Sequence, residues 1–165
     1  INKLREDNKR LKEQMQEQQK NLQKYAKEYY LMGNECITHM HDTRAALANY
    51  DKAIELYPDY ADAWVRKGVT LFNADRINEA EACLDKAVRL RPMEFKTVYN
   101  RGKLRLHTGD TEGAIADLDK ATTLKPQHAG AHECFGDALT QAGKEMEAAI
   151  QYRLAEELRK RKSNQ

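Results

Sequence analysis

The chain has 165 residues, of which 41% are hydrophobic and 33% are charged, and its formal net charge is +2. This composition favours an all-helical, heavily solvated protein, and so small a net charge argues against nucleic acid or an anionic membrane as a partner. No apolar run approaches the roughly 18 residues that indicate a membrane-spanning helix.

Residues 1–25 contain neither glycine nor proline and carry a heptad pattern. Apolar residues at the two inward heptad positions are typical of a coiled coil, and an asparagine at such a position favours a parallel dimer. We therefore expect self-association through a seam formed by Ile1, Leu4, Asn8, Leu11, Met15 and Leu22. The alternative is a solvated helix that packs on its own repeats. Nothing breaks the helix before Gly33, so it is expected to continue into the next segment.

From residue 26 onward, small residues recur every 34 positions. One series is Ala46, Ala80, Ala114 and Ala148, and another is Pro58, Pro92 and Pro126. A fixed period of this length indicates a stacked array whose units bury their apolar faces against their neighbours. Such arrays present long surfaces and rarely build the closed pocket that catalysis needs.

Each unit contains two apolar stripes at helical spacing. In residues 61–94, the first stripe contains Trp64, Gly68 and Leu71, and the second, which ends before Pro92, contains Ala80. The sequence therefore predicts antiparallel helix pairs at about 27–40 and 44–57, 61–74 and 78–91, 95–108 and 112–125, and 129–142 and 145–160.

These positions resemble the tetratricopeptide repeat, whose signature is an aromatic residue, Leu-Gly, Tyr, Ala, an aromatic residue, Ala and Pro. The resemblance covers about residues 26–160 and implies an all-α, right-handed superhelical solenoid of antiparallel helix pairs behind a long N-terminal helix. It implies four repeats within residues 26–165, at about 26–60, 61–94, 95–128 and 129–162. It also implies a non-enzymatic scaffold for protein–protein interaction.

Two departures from the family pattern lead to local expectations. The step from Gly33 to Ala46 is one residue longer than in the later repeats, which predicts an insertion around residues 39–43. Arg105 stands where the family prefers Tyr. Either its neighbours Leu104 and Leu106 take over the packing, or its guanidinium extends along its stem into solvent.

The family binds partner segments along the first helices of its repeats, on the concave face. At those positions the first three repeats have Lys27, Tyr30, Asn34, Asp62, Val65, Arg66, Val69, Lys96, Tyr99, Asn100 and Lys103, and the fourth repeat adds Gly130, Glu133, Cys134 and Asp137. Cations and amides at this spacing suit an acidic segment or a C-terminal carboxylate. Ordinary solubilising lysines are the alternative interpretation of this surface.

Co-chaperone repeats that bind acidic C-terminal tails use five Lys, Asn and Arg positions. Only Asn34 and Lys96 match that set here, so a chaperone-tail binder is an alternative with an incomplete clamp. The same pattern is also compatible with a structural oligomerisation module and with a regulatory segment of a larger enzyme.

No phosphate loop or nucleophile arrangement is visible, so we expect no catalytic residues and no cofactor. Cys36, His39 and His41 are close together, but their spacing matches no usual zinc pattern, and no metal site is expected. Three scattered cysteines indicate a reducing, cytoplasmic setting. The chain begins at Ile1 rather than Met, which suggests a fragment.

Overall fold

The computed structural model describes residues 2–163. The α-helices in this range are α1 (Asn2–Glu35), α2 (Thr43–Leu56), α3 (Ala61–Asn73), α4 (Ile77–Leu90), α5 (Phe95–Thr108), α6 (Thr111–Leu124), α7 (Ala129–Gln141) and α8 (Glu145–Ser163). The described residues contain no strand, which confirms the predicted all-α class. The chain divides into two compact units, residues 1–67 and 68–165, with the boundary inside α3.

In the first unit, α1 runs unbroken past Gly33, as the sequence predicts. Its C-terminal part packs on α2, and Tyr50 of α2 is only 1% exposed. A Cβ on Gly33 would lie 2.5 Å from Cε1 of Tyr50, so a larger residue cannot be placed there without displacing the ring. Glycine is therefore required by close packing rather than by a turn.

The extra residue of the first repeat is accommodated beside the predicted turn. Cys36–Met40 forms one π-helical turn, a geometry that takes up an additional residue within a helix. His41 then adopts a left-handed conformation with φ of 53°. The Oδ1 atom of Asp42 accepts a hydrogen bond from the Ala45 amide at 2.9 Å and caps α2.

In the second unit, α5 packs on α6, α7 packs on α8, and α4 and α6 each contact the helix that follows them. The glycine of each first helix faces the residue sixteen positions later. A Cβ added to Gly68, Gly102 or Gly136 would lie 2.8, 2.9 or 2.7 Å from Leu84, Leu118 or Tyr152, respectively. The same close approach of two helices thus recurs at the period that the sequence shows.

Arg105 is held by an ion-pair network rather than extended into solvent. Its Nη1 atom lies 3.0 Å from the carboxylate of Asp117, whose side chain is 6% exposed. Arg101 donates two hydrogen bonds of 2.8 Å to Asp117 and one of 3.1 Å to Asp85 of α4. The hydrogen bond to Asp117 raises the pKa of Arg101, with a smaller contribution from Asp85. Leu104 is buried, which agrees with the expectation that the neighbours of Arg105 take over the packing.

Candidate partner-binding site

The predicted binding residues of the first unit differ in their exposure and in their contacts with other residues of the chain. Lys27 and Arg66 are exposed. Tyr30 is half-buried, with its ring centroid 5.2 Å from that of Tyr60. The Oδ1 atom of Asn34 accepts a hydrogen bond of 2.9 Å from the Tyr50 hydroxyl. The two cations are therefore available to a partner, whereas part of the Asn34 amide stabilises the helix pair.

In the second unit, four predicted residues form one face of α5. Lys96, Tyr99, Asn100 and Lys103 are spaced at i, i+3, i+4 and i+7, the positions that share a side of a helix. The two lysines are exposed, and the Lys103 ammonium lies 5.6 Å from the centroid of the Tyr99 ring. Asn100 is half-buried and donates to the Lys96 carbonyl at 2.8 Å. In α3, Val69 is half-buried, whereas Val65 is only 5% exposed and is part of the core.

A cleft of about 520 Å³ lies beside this face. It is lined by Phe72, Lys103, Leu106, His107, Cys134, Asp137 and Gln141. The ring of His107 meets that of Phe72 edge-on, with centroids 5.1 Å apart. Of the cleft residues, only Lys103, Cys134 and Asp137 are among the positions that the sequence picks out.

The missed cleft residues lie one helical turn beyond the predicted ones. His107 follows Lys103 by four positions and Gln141 follows Asp137 by four, so each pair shares a helix side. Phe72 follows Val69 by three positions in the same way. Extending the predicted face by one turn at each first helix would have found them.

Next to the cleft, α5 and α7 meet through a pair of uncharged side chains, of which Cys134 lines the cleft. The Tyr99 hydroxyl lies 3.9 Å from Sγ of Cys134. Burial raises the pKa of both groups, so at neutral pH they remain a phenol and a thiol. A protonated thiol is a poor nucleophile. This arrangement suits the binding of an apolar side chain, with the charges of Lys103 and Asp137 beside it.

The predicted seam residues of α1 lie on an exposed apolar stripe. Leu4, Leu11, Met15 and Leu22 are 69%, 54%, 66% and 44% exposed. Asn8 is also exposed, and Ile1 lies outside the described residues. Apolar side chains aligned in this way on one helix are typical of a surface that binds another helix.

Two features bear on the metal and membrane expectations. Within residues 2–163, no group of three His, Cys, Asp or Glu side chains is arranged to hold a metal ion. Cys36 is buried, whereas His39 and His41 are exposed. No helix in that range is long and apolar enough to cross a membrane.

Comparison with known proteins shows the same repeat architecture. Two family models, both described as tetratricopeptide repeat, match residues 39–99 and 95–128. An uncharacterized protein of Methanocaldococcus jannaschii is 35% identical over 77 residues, which are 47% of this chain and 88% of that protein.

Solved structures of MamA share the fold. One superposes with a TM-score of 0.76 at 21% identity and covers 85% of this chain and 81% of that chain. MamA from Desulfovibrio magneticus RS-1 superposes with a TM-score of 0.73 at 24% identity, over 82% and 76% of the two chains. These likenesses confirm the predicted class of fold.

Proposed function

We propose that this chain, which belongs to the tetratricopeptide repeat family, is a non-enzymatic scaffold that binds an extended, acidic segment of a protein partner. The observation that carries this proposal is the α5 face, where two exposed lysines flank a half-buried tyrosine beside a cleft of about 520 Å³. Ammonium groups attract carboxylates, and the cleft offers room for an apolar side chain.

The first unit contributes a second cationic patch to the proposal. Lys27 and Arg66 are both exposed, and neither forms an ion pair among the contacts that the structure describes. Like Lys96 and Lys103 in the second unit, these two cations favour a partner segment with several carboxylates, or with a carboxylate at its C-terminus. Within each unit a half-buried ring, Tyr30 in the first and Tyr99 in the second, would provide apolar contact area beside the cations of that unit.

Self-association through α1 is the second part of the proposal. The stripe of Leu4, Leu11, Met15 and Leu22 would pair with its copy in a parallel dimer, with Asn8 at the seam. In this arrangement residues 1–25 form the dimerisation segment and residues 26–165 form the four repeats. Two binding faces on one dimer would gain avidity for a bivalent or oligomeric partner.

A cytoplasmic setting completes the proposal. Cys36 and Cys83 are buried free thiols, and Cys134 is a half-buried one. Free thiols persist where the surroundings are reducing. The packed helix pairs do not depend on covalent links for their stability.

The test compares binding of a peptide library by the full chain and by the double variant Lys96→Glu/Lys103→Glu. The library consists of extended peptides with several Asp or Glu residues around one apolar residue. We expect the selected peptides to bind the variant at least tenfold more weakly, which is about 1.4 kcal/mol. Added salt should weaken wild-type binding because the contact is ionic.

The matched control is Lys120→Glu/Lys144→Glu, which makes the same change in net charge away from the α5 face. This control should bind the peptides as the wild type does. Equal loss in both variants would mean that only net charge matters. No selected peptide at all, with the α1 dimer intact, would favour a structural oligomerisation module instead.

A further inference from the structure

Helix α8 carries an exposed apolar stripe that the proposed function does not use. Met146, Ile150 and Leu154 follow one another at four-residue steps and are 86%, 59% and 38% exposed. The buried residues of α8 are Ala148 and Ala155. Each residue turns a helix by roughly 100°, so the stripe lies on the side opposite the buried alanines. It therefore faces away from the helix pair to which α8 belongs.

The same positions in the two preceding repeats are small or polar. One period earlier, α6 has Glu112, Ala116 and Lys120. Two periods earlier, α4 has Asn78, Ala82 and Lys86. Among these three helices, only α8 has large apolar residues at all three positions. An exposed apolar stripe on a side that is otherwise polar indicates an interaction surface.

The stripe is not the surface on which one repeat stacks against the next. Val88 of α4 lies in a buried cluster with Phe95 and Val98 of α5, so its position faces the following repeat. The equivalent residue of α8 is Glu156, which is exposed and pairs with Lys160 at 2.6 Å. At this stacking position α8 is charged, and Met146, Ile150 and Leu154 lie on another side of the helix. A stacked repeat therefore does not account for the stripe.

We propose that the α8 stripe binds the α8 stripe of a second copy of this chain, with the two helices antiparallel. The first turn of α8 contains Glu145 and Glu147, and its last turn contains Lys160, Arg161 and Lys162. An antiparallel pair brings each acidic end beside a basic end, whereas a parallel pair would align like charges.

The spacing of the stripe fits the same arrangement. Residues at four-residue steps form a ridge, and such a ridge can pack into the groove beside the ridge of another helix. A membrane surface fits less well because the glutamates at the start of α8 would be repelled by anionic lipids. One helix face is smaller than the roughly 800 Å² per partner of a standard interface, so this dimer is weak on its own.

The test replaces the stripe with the residues that α6 has at the same positions, giving Met146→Glu/Ile150→Ala/Leu154→Lys in the full chain. Because this protein already folds with those residues on α6, the variant is expected to keep its helicity and thermal midpoint. Sedimentation equilibrium of the wild type and the variant, over a wide concentration range, should show association at least tenfold weaker in the variant. Unchanged association would overturn the proposal.

The two proposed self-association surfaces are separated by repeating the measurement in a Leu11→Lys/Met15→Lys background. Those changes remove the α1 stripe and leave α8 untouched. We expect the α8 variant to weaken association in both backgrounds. If the α1 changes abolish association and the α8 variant has no effect, the result would support the α1 dimer and overturn the α8 dimer. Met93→Lys, at a residue that is 67% exposed between α4 and α5, controls for the removal of an exposed apolar side chain and should have no effect.

Cross-linking gives a direct readout of which residues meet. Ile150→Cys should form a covalent dimer on mild oxidation, whereas Ala116→Cys, at the equivalent position of α6, should not. The native thiols are common to both variants and cancel in the comparison. Equal cross-linking in the two variants would overturn the proposal. So would binding to anionic vesicles that depends on the stripe while the protein in solution stays monomeric.

Discussion

At the scale of single residues, the repeats depend on places where a side chain is nearly absent. Ala80 and Ala114 are completely buried. Gly68 and Gly102 face Leu84 and Leu118 so closely that an added Cβ would lie within 3 Å of them. Interiors at this density have little room for additional methylenes. The period seen in the sequence is therefore a series of helix contacts in which size matters more than polarity.

Replacing one of the buried alanines by leucine should overpack a helix contact. Ala80→Leu and Ala114→Leu are each expected to lower the free energy of unfolding by on the order of 1–3 kcal/mol. Ala82→Leu is the matched control because Ala82 is exposed on the same helix as Ala80. It should change stability by less than about 0.5 kcal/mol. Urea unfolding curves decide the matter, and equal effects at positions 80 and 82 would contradict the packing argument.

His128 links stability to pH through a helix cap. Its Nδ1 atom accepts a hydrogen bond of 3.1 Å from the Ala131 amide at the start of α7. Burial lowers the pKa of His128, and the charges of Lys125 and Lys162 act in the same direction. The unfolded chain therefore binds a proton more readily than the folded one. The contribution of His128 is complete above its unfolded pKa, about 6.5, and is lost as the pH falls toward the lowered folded value.

The corresponding variant is His128→Asn, which keeps a capping oxygen but does not titrate. Thermal midpoints measured at about pH 7.5 and pH 5 should fall further in the wild type than in the variant, since only the wild type carries this linkage. The other histidines are present in both proteins and cancel. An equal fall in the two proteins would show that His128 does not contribute.

At the scale of helices, α4, α5 and α6 are joined by charges as well as by apolar packing. Arg101 of α5 bridges Asp85 of α4 and Asp117 of α6, and Arg105 shares the Asp117 carboxylate. The side chains of Arg101 and Asp117 are only 17% and 6% exposed. When a buried charge loses its partner, no water is present to solvate it. The network therefore holds two successive repeats in one arrangement.

Removing the shared carboxylate should cost more than removing a nearby exposed one. Asp117→Ala leaves two guanidinium groups without their buried partner, and we expect a loss of about 3 kcal/mol in the free energy of unfolding. Asp119→Ala, at an exposed position on the same helix, should cost less than about 0.5 kcal/mol. Chemical denaturation of both variants gives the comparison. Similar losses would mean that the network is not a stabilising one.

At the scale of the whole molecule, most contacts join neighbouring helices. In the first unit α1 packs on α2, and in the second unit each helix from α4 to α7 packs on the next one. Arrays of this kind derive their stability from units and adjacent interfaces. The first two-thirds of α1 lie outside this pattern, since Ala26 is the first buried residue of the helix. Its apolar stripe is the part of α1 that a partner helix would cover.

Deleting residues 1–24 should therefore remove self-association through α1 without unfolding the repeats. We expect light scattering at a moderate concentration to show a smaller species, with helicity per repeat and thermal midpoint little changed.

In the full chain, Asn8→Val should raise the stability of the assembly but allow more than one oligomer, since a buried amide restricts register. Three heptads are near the minimum for pairing. A full-length chain that is monomeric at about 50 µM would nevertheless contradict the coiled-coil prediction.

The sequence by itself determined the helix pairs, the insertion in the first repeat and which cations share a side of α5. These features follow from local spacing. A glycine or alanine every 34 residues marks where helices approach, and an i, i+3, i+4, i+7 series such as Lys96 to Lys103 shares a helix side wherever the helix lies. The helices of the structure agree with the predicted ranges to within one or two residues, apart from the ends of α1 and α8.

The tertiary structure alone decided which polar groups are engaged and where the cleft lies. The sequence predicts Asn34 to be a binding residue, but the hydroxyl of Tyr50, sixteen residues away, donates a hydrogen bond to its side chain. Arg105 reads as a departure from the family, but Asp117, twelve residues away, binds it. Cys134, which lines the cleft, contacts Tyr99, 35 residues earlier in the sequence. Periodicity tells which side of a helix faces its neighbour, but a hydrogen bond or a cleft depends on the separation and rotation of two helices, which only their packing sets.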